Sequence, residues 1–221
     1  MGWPPQRWKV FQIAQGVEYL HSRNIIHGDL RGVRYTFRNP DCRLTNIGVA
    51  FQGNIFIDEE WGIRIVDFGL SVFSDATIES NSGNSRGTLR WMAPELHFPK
   101  HFGLDNFKQT YASNIYAFAC TCLEVSSQIW SAITAKTVCF RQIYTLSSPF
   151  SHIRNDMGAV TEVVRGGRPS RPEAGSRCVI SDVVWDVIEA CWSQESTDRP
   201  NAGEVVEKLV GNLHDSGHSP Y

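Results

Sequence analysis

The residues of this 221-residue chain best placed for chemistry lie in three short motifs, each built around one carboxylate. His27-Gly28-Asp29 follows an amphipathic run and opens a polar turn. Asp67-Phe68-Gly69 closes a short apolar run of strand character. Ala93-Pro94-Glu95 ends the longer string Gly87-Thr88-Leu89-Arg90-Trp91-Met92-Ala93-Pro94-Glu95. A carboxylate in a turn can cap that turn, take up a proton or bind a hard cation. Singly, the first two triplets are common by chance. Their order, with the polar stretch 71–86 between the second and third, is much rarer. Cys191-Trp192 and Asp198-Arg199-Pro200 follow near the C-terminus.

Positioning these residues requires a scaffold, and its periodicity is readable. Val10, Ile13, Ala14, Val17 and Leu20 recur at three- and four-residue steps, which predicts a helix ahead of the first motif. Residues 54–58 and 63–67 read as two short strands around Glu59-Glu60-Trp61-Gly62, a hairpin pattern. Residues 33–52 are aperiodic, and 74–86, rich in Ser, Asn and Gly, read as an exposed loop. Residues 113–124 are almost wholly apolar, which predicts a central helix. Further helices are expected at 157–165, at 182–192 with Val184, Trp185, Ile188, Cys191 and Trp192 on one stripe, and from Pro200 to about Leu213. The tail 214–221 is polar and expected to fray.

Composition narrows the functional classes. Hydrophobic content of 42% allows a sizeable core, while a net charge of −2 gives no bulk attraction to nucleic acid or anionic membrane. No apolar run approaches the roughly 18 residues of a membrane span. The N-terminus lacks the apolar centre of a secretory signal, so a cytoplasmic setting is expected. The six cysteines are then read as reduced thiols rather than a disulfide framework. Cys120 and Cys122, two apart on a helix, face different directions and make no metal pair.

Taken in order, the motifs resemble the C-terminal lobe of a eukaryotic protein kinase. Arg90-Trp91-Met92-Ala93-Pro94-Glu95 and Cys191-Trp192 are most similar to the tyrosine-kinase-like branch, in particular its fungal members. The resemblance implies a mainly α-helical lobe with a small β-hairpin over residues 1–213. It also implies ATP and Mg²⁺ as cofactors, and a protein substrate phosphorylated on Ser or Thr rather than Tyr. By the same resemblance, Asp29 would accept the proton of the substrate hydroxyl or orient it. Arg31 would direct phosphate, from the position where Ser/Thr kinases carry a Lys. Asn54 and Asp67 would hold Mg²⁺ against the ATP phosphates. Glu95 and Arg199 would form a buried ion pair, with His27, Phe68, Gly69 and Asn114 in structural roles. Phe68, Trp185 and Trp192 are expected in the core, and Asp29 in a solvated cleft.

Four departures qualify the resemblance. Gly28 stands where the family has an Arg that pairs with a phosphorylated activation loop, so regulation through that loop is not expected. Asn114 stands for an Asp, which removes charge assistance from its hydrogen bonds. Asn54 lies 25 positions after Asp29 instead of five. Removing the twenty residues 33–52 restores the family spacing, and removing the eighteen residues 125–142 restores a familiar continuation toward Pro149-Phe150. Both stretches begin with Val and end with Gln, whose codons can supply the two ends of a spliced intron, so both are read as retained introns. The first is expected to leave Asn54 on a long tether, no longer positioned by Asp29. Finally, the 221 residues contain no glycine-rich loop and no strand Lys paired with a helix Glu. The N-lobe is therefore read as absent, with weak ATP binding, no activity from the chain alone, and an apolar face exposed around Asp67-Phe68-Gly69. A non-catalytic pseudokinase that binds the missing lobe or another protein, and a misspliced product without function, are the alternatives.

Overall fold

The computed structural model of the chain describes residues 6–35, 53–57, 62–74, 89–134, 148–172 and 180–214. The first apolar stripe folds as helix α1 (Gln6–Ser22) and buries Val10, Ile13, Ala14, Val17 and Leu20. These positions share one face of a 3.6-residue helix, and Tyr19, off that face, is exposed. Gly16 sits where a Cβ would lie 2.9 Å from Ile65 Cδ1, so the bare backbone lets a strand close onto the helix.

The hub is helix α3 (Tyr111–Thr134). Ser113 to Tyr116, Phe118 to Cys120 and Cys122 are all buried, so the helix is covered around its whole circumference. Its start is a reciprocal cap: Thr110 N–H donates to Ser113 Oγ (2.9 Å) and Ser113 N–H to Thr110 Oγ1 (3.1 Å). The helix does not stop where the apolar pattern does, at residue 124, but continues to Thr134. The backbone therefore has no break at the start of the second proposed insertion.

Around the hub stand α2 (Pro94–His97), α4 (Asp156–Val164), α5 (Asp182–Cys191) and α6 (Ala202–His214). Helix α3 packs on α1 and α5, and α6 packs on both α1 and α5. Trp185 and Trp192 are buried in an edge-to-face pair with ring centroids 5.5 Å apart. Helix α6 begins two residues later than Pro200 suggested, because Asn201 caps it. Asn201 Oδ1 accepts the Glu204 N–H (3.0 Å), and Glu204 Oε2 accepts the Asn201 N–H (2.9 Å).

Two small sheets carry the motifs. Strands β3 (Ile55–Ile57) and β4 (Ile63–Ile65) pair antiparallel, as the hairpin pattern predicts. A third strand, β2 (Val33–Tyr35), lies parallel to β3 with Val33 opposite Ile55. It falls in a stretch read as aperiodic, since three residues are too few to show a period. Strands β1 (Ile25–Ile26) and β5 (Val72–Phe73) form the second sheet and clamp the two ends of the chemistry-bearing segment together.

The rest of the polar loop (75–86), the remainder of both proposed insertions (36–52 and 135–142), the tail from 215, and Cys42, Cys139 and Cys178 lie outside the described residues. Cys120, Cys122 and Cys191 are buried free thiols. Burial pushes Cys120 and Cys191 up to about 12 and Cys122 well above its ordinary value, which keeps all three protonated and inert. No helix among the described residues is long and apolar enough to cross a membrane.

Candidate active site

Strand β1 delivers His27 into the interior, fully buried. Its Nε2–H donates to the Val66 carbonyl (3.0 Å), and its Nδ1 accepts the Asp29 N–H (3.3 Å). A carbonyl can only accept and an amide N–H only donate, so the ring is the neutral Nε2–H tautomer. Burial lowers its pKa, against the opposing pull of the Val66 carbonyl, Asp29 and Asp67. His27 thus ties the turn before Asp29 to the strand end before Asp67. Ser71 Oγ reinforces the tie by donating to the His27 carbonyl (3.0 Å).

Gly28 adopts φ +79°, a conformation that favours glycine. Its N–H donates to Asn114 Oδ1 (3.4 Å), and its carbonyl accepts Gln109 Nε2–H (2.9 Å). The Asn114 Nδ2 in turn donates to His21 Nε2 (3.0 Å). Burial lowers His21 to about 4, so it is a neutral acceptor at physiological pH. The amide at 114 therefore still accepts from the turn before Asp29, while its own N–H meets the neutral His21 ring.

Asp29, Arg31 and Asn54 converge. Arg31 Nε lies 3.2 Å from Asp29 Oδ1, an ion pair. Asn54 Nδ2 donates to both the Asp29 carbonyl (2.6 Å) and Asp29 Oδ2 (2.9 Å). Two sequence expectations fail here. Asp29 is not in a solvated cleft; it is only 8% exposed, under Asn54 and Arg31. Nor is Asn54 loosely tethered. It is 2% exposed, its N–H donates to the Arg31 carbonyl (2.7 Å), and its carbonyl accepts the Val66 N–H (2.9 Å). Lengthening a loop from five to 25 residues costs only about 1.4 kcal/mol of closure entropy, which these hydrogen bonds offset.

Asp67 follows directly on the strand end bonded to Asn54 and adopts φ +66°. Its carboxylate is exposed and accepts no hydrogen bond from the described residues. Gly69 is exposed beside it. Phe68 is not a core residue: it is 48% exposed and touches the His27 ring at a centroid distance of 5.2 Å. Phe73 is exposed as well, at 65%.

These oxygens fit a hard divalent cation. Asn54 turns its Nδ2 toward Asp29, so its amide oxygen is the group left to meet a cation, and its backbone carbonyl holds Val66, the residue before Asp67. Asp29 Oδ1 is buried and accepts no hydrogen bond, with only the Arg31 charge beside it. A site with so few protein oxygens suits Mg²⁺, which completes its shell with water and phosphate.

Away from these groups, Arg199 Nη1 and Nη2 donate to Glu95 Oε1 (2.7 Å) and Oε2 (2.8 Å), a bidentate buried pair. Arg199 also reaches the Ser193 and Ala112 carbonyls. Its guanidinium lies 5.2 Å from the Tyr116 ring centroid, as does that of Arg168. Sequence reasoning missed Gln109, His21 and Glu124. Glu124 is buried and accepts the Gly32 N–H (2.9 Å) and Trp91 Nε1–H (3.1 Å), joining the catalytic loop to the third motif. A lone carboxylate ending an apolar helix was its only signal; Gln109 gave none.

The helical fold thus bonds a turn aspartate to an asparagine 25 positions away and buries a glutamate–arginine pair at a distance from them. The family model for protein tyrosine and serine/threonine kinases matches residues 6–209, and the chain belongs to that family. A light-sensor protein kinase of Ceratodon purpureus is 28% identical over 90% of this chain and 13% of its own length. The serine/threonine-protein kinase STY17 of Arabidopsis thaliana is 24% identical over 93% of the chain and 27% of its own length. Human receptor-interacting serine/threonine-protein kinase 3 is 26% identical over 93% of the chain and 33% of its own length. The chain thus spans between 13% and 33% of the length of these relatives.

Proposed function

We propose that these residues act as the C-terminal lobe of a protein kinase of the tyrosine-kinase-like branch, transferring the γ-phosphate of ATP to Ser or Thr hydroxyls of cytoplasmic proteins. The observation that carries this reading is the direct bonding of Asn54 to Asp29, beside Asp67, across 25 positions of sequence. The substrate hydroxyl gives its proton to Asp29 as its oxygen bonds to the γ-phosphorus, and the bond to the bridging oxygen breaks to release ADP. Arg31 neutralises charge on the transferred group. Mg²⁺, held through Asn54 and Asp67, supplies charge neutralisation on the ATP phosphates.

With no glycine-rich loop or strand lysine among these 221 residues, we infer millimolar or weaker MgATP binding and no robust turnover from the chain alone. The test is a chimera carrying these residues behind the N-terminal lobe of a serine/threonine relative. It is expected to phosphorylate a general protein substrate and to lose that activity on Asp29→Asn. A folded chimera that neither binds MgATP nor transfers phosphate removes the reading. Robust turnover by the isolated chain, abolished by Asp29→Asn, removes only its inactivity.

Gly28 and Asn114 favour a second reading, a pseudokinase that serves as a docking module; the same chimera, inactive with every described contact intact, would support it. Stretches 33–52 and 125–142 we propose as retained introns, on their restored family spacing. The pairing of β2 with β3 and the continuation of α3 speak instead for genuine insertions. Sequencing the transcript separates the two, since a message carrying both stretches at full abundance ends the intron proposal.

A further inference from the structure

Position 28 poses a physical question that the kinase reading leaves open: what holds the turn before Asp29 when no side chain projects from it. A Cβ built on Gly28 would overlap Gln109 Oε1 and lie 2.6 Å from the Leu70 carbonyl oxygen. The space a side chain at 28 would take is therefore already filled, by Gln109. The same Gln109 turns its Nε2–H onto the Gly28 carbonyl at 2.9 Å, one residue before Asp29. Its Oε1 is buried and accepts no hydrogen bond from the described residues. Gln109 also lines a cavity of about 20 Å³ bounded by Gly28, Asp29, Ser113 and Asn114, large enough for one water.

From this geometry we infer that Gln109 is a positioning residue for Asp29, supplying from 81 positions away the hold on the turn that a side chain at position 28 would otherwise provide. Gly28 is gripped from both sides, its N–H by Asn114 and its carbonyl by Gln109. Both grips are uncharged, so neither depends on a phosphate elsewhere in the chain. The grip on the carbonyl needs a donor, and here chemistry separates from shape. Glutamate at 109 fills the same space but offers only acceptors, which face the Gly28 carbonyl unfavourably. Lysine keeps a donor at similar reach.

The role rests on the kinase reading, but its first test needs no nucleotide. Amide hydrogen exchange of Gly28 and Asp29 is followed in the 221-residue chain and in Gln109→Ala, Gln109→Glu and Gln109→Lys. Loss of one hydrogen bond that leaves a buried carbonyl unpaired is expected to speed exchange of these two amides about tenfold in Gln109→Ala and Gln109→Glu. Gln109→Lys is expected to stay near wild type. The amides of Trp192, which caps the end of α5, and of Val205, in α6, are expected to be unchanged in all three. In the chimera, Gln109→Glu is expected to lower kcat with KM for ATP unchanged. Wild-type exchange in Gln109→Glu overturns the inference, since space-filling alone would then suffice. An equal rise at Trp192 and Val205 overturns it as well, because the effect would be global. So does local loosening that leaves kcat intact. A chimera inactive before any change at 109 counts against the kinase reading, not against the hold on Gly28, which the exchange experiment reads by itself.

Discussion

The Glu95–Arg199 region and the turn around Gly28 are both buried, and they are held in opposite ways. At Glu95 the hold is ionic. Two charge-assisted bonds run between Arg199 and the carboxylate, further bonds reach the Ser193 and Ala112 carbonyls, and two guanidinium groups approach the Tyr116 ring. At Gly28 every grip is neutral: an asparagine, a glutamine and two histidines kept uncharged by burial. A buried charge pair is rigid but costly to break singly, because the survivor stays charged without its partner. Neutral hydrogen bonds cost less to break, and histidines within them make the hold sensitive to acid. The Glu95–Arg199 brace is thus the firm part, and the turn that carries Asp29 is the adjustable one.

The largest effect is expected at the ionic end. Glu95→Ala is expected to destabilise the fold by about 3–5 kcal/mol, read as a shift of the denaturation midpoint, because Arg199 is left buried and unpaired. Asp29→Ala is expected to cost less. Asp29 is itself largely buried, but the Arg31 side chain is 19% exposed and can turn to water. Equal midpoint shifts for the two variants would show that the regions do not differ as described.

Acid probes the neutral end. His21 has a folded pKa of about 4, below its ordinary 6.5. Between those values the unfolded chain binds a proton that the folded chain refuses, so stability is full above pH 6.5 and falls as pH drops toward 4. The loss from His21 approaches about 3 kcal/mol. His27 and His97 are also lowered by burial and add in the same direction. Asn114→Asp sharpens the point, because a carboxylate beside His21 favours its charged form. An NMR titration of the His21 ring is expected to move to higher pH in that variant. An unmoved midpoint would mean that the Asn114–His21 contact does not form.

The smallest expected effect lies inside the ionic region. The Tyr116 hydroxyl is buried and finds no hydrogen-bond partner among the described residues. Its ring, not its oxygen, faces the two arginines. Tyr116→Phe is therefore expected to change stability by less than about 1 kcal/mol, in the stabilising direction. A loss of several kcal/mol would show that the hydroxyl is bonded after all.

Local sequence pattern marked the helices that carry the core, though not β2 or the end of α3, and named the chemical groups. Apolar residues at three- and four-residue steps marked α1, the stripe through Trp185 and Trp192 marked α5, and unbroken apolarity placed α3 at the centre, because such patterns are local and each residue declares its own face. The order of Asp29, Asp67 and Glu95 pointed to the family for a similar reason, since each motif is contiguous. Contacts between distant positions were decided only in three dimensions. Nothing near Asn54 in sequence says that its amide meets Asp29, nor that the loop between them leaves this bond intact, because closing a longer loop costs little and the β3–β4 hairpin sets the geometry. Gln109 and Glu124 gave almost no sign of their grip on Gly28 and Gly32, 81 and 92 positions away. Phe68 is a large apolar side chain yet stays half exposed, because burial depends on what packs against a ring and not on the ring itself. Hydrogen-bond partners far apart in sequence leave no periodic trace, so the hold on the catalytic turn becomes visible only when the chain is folded.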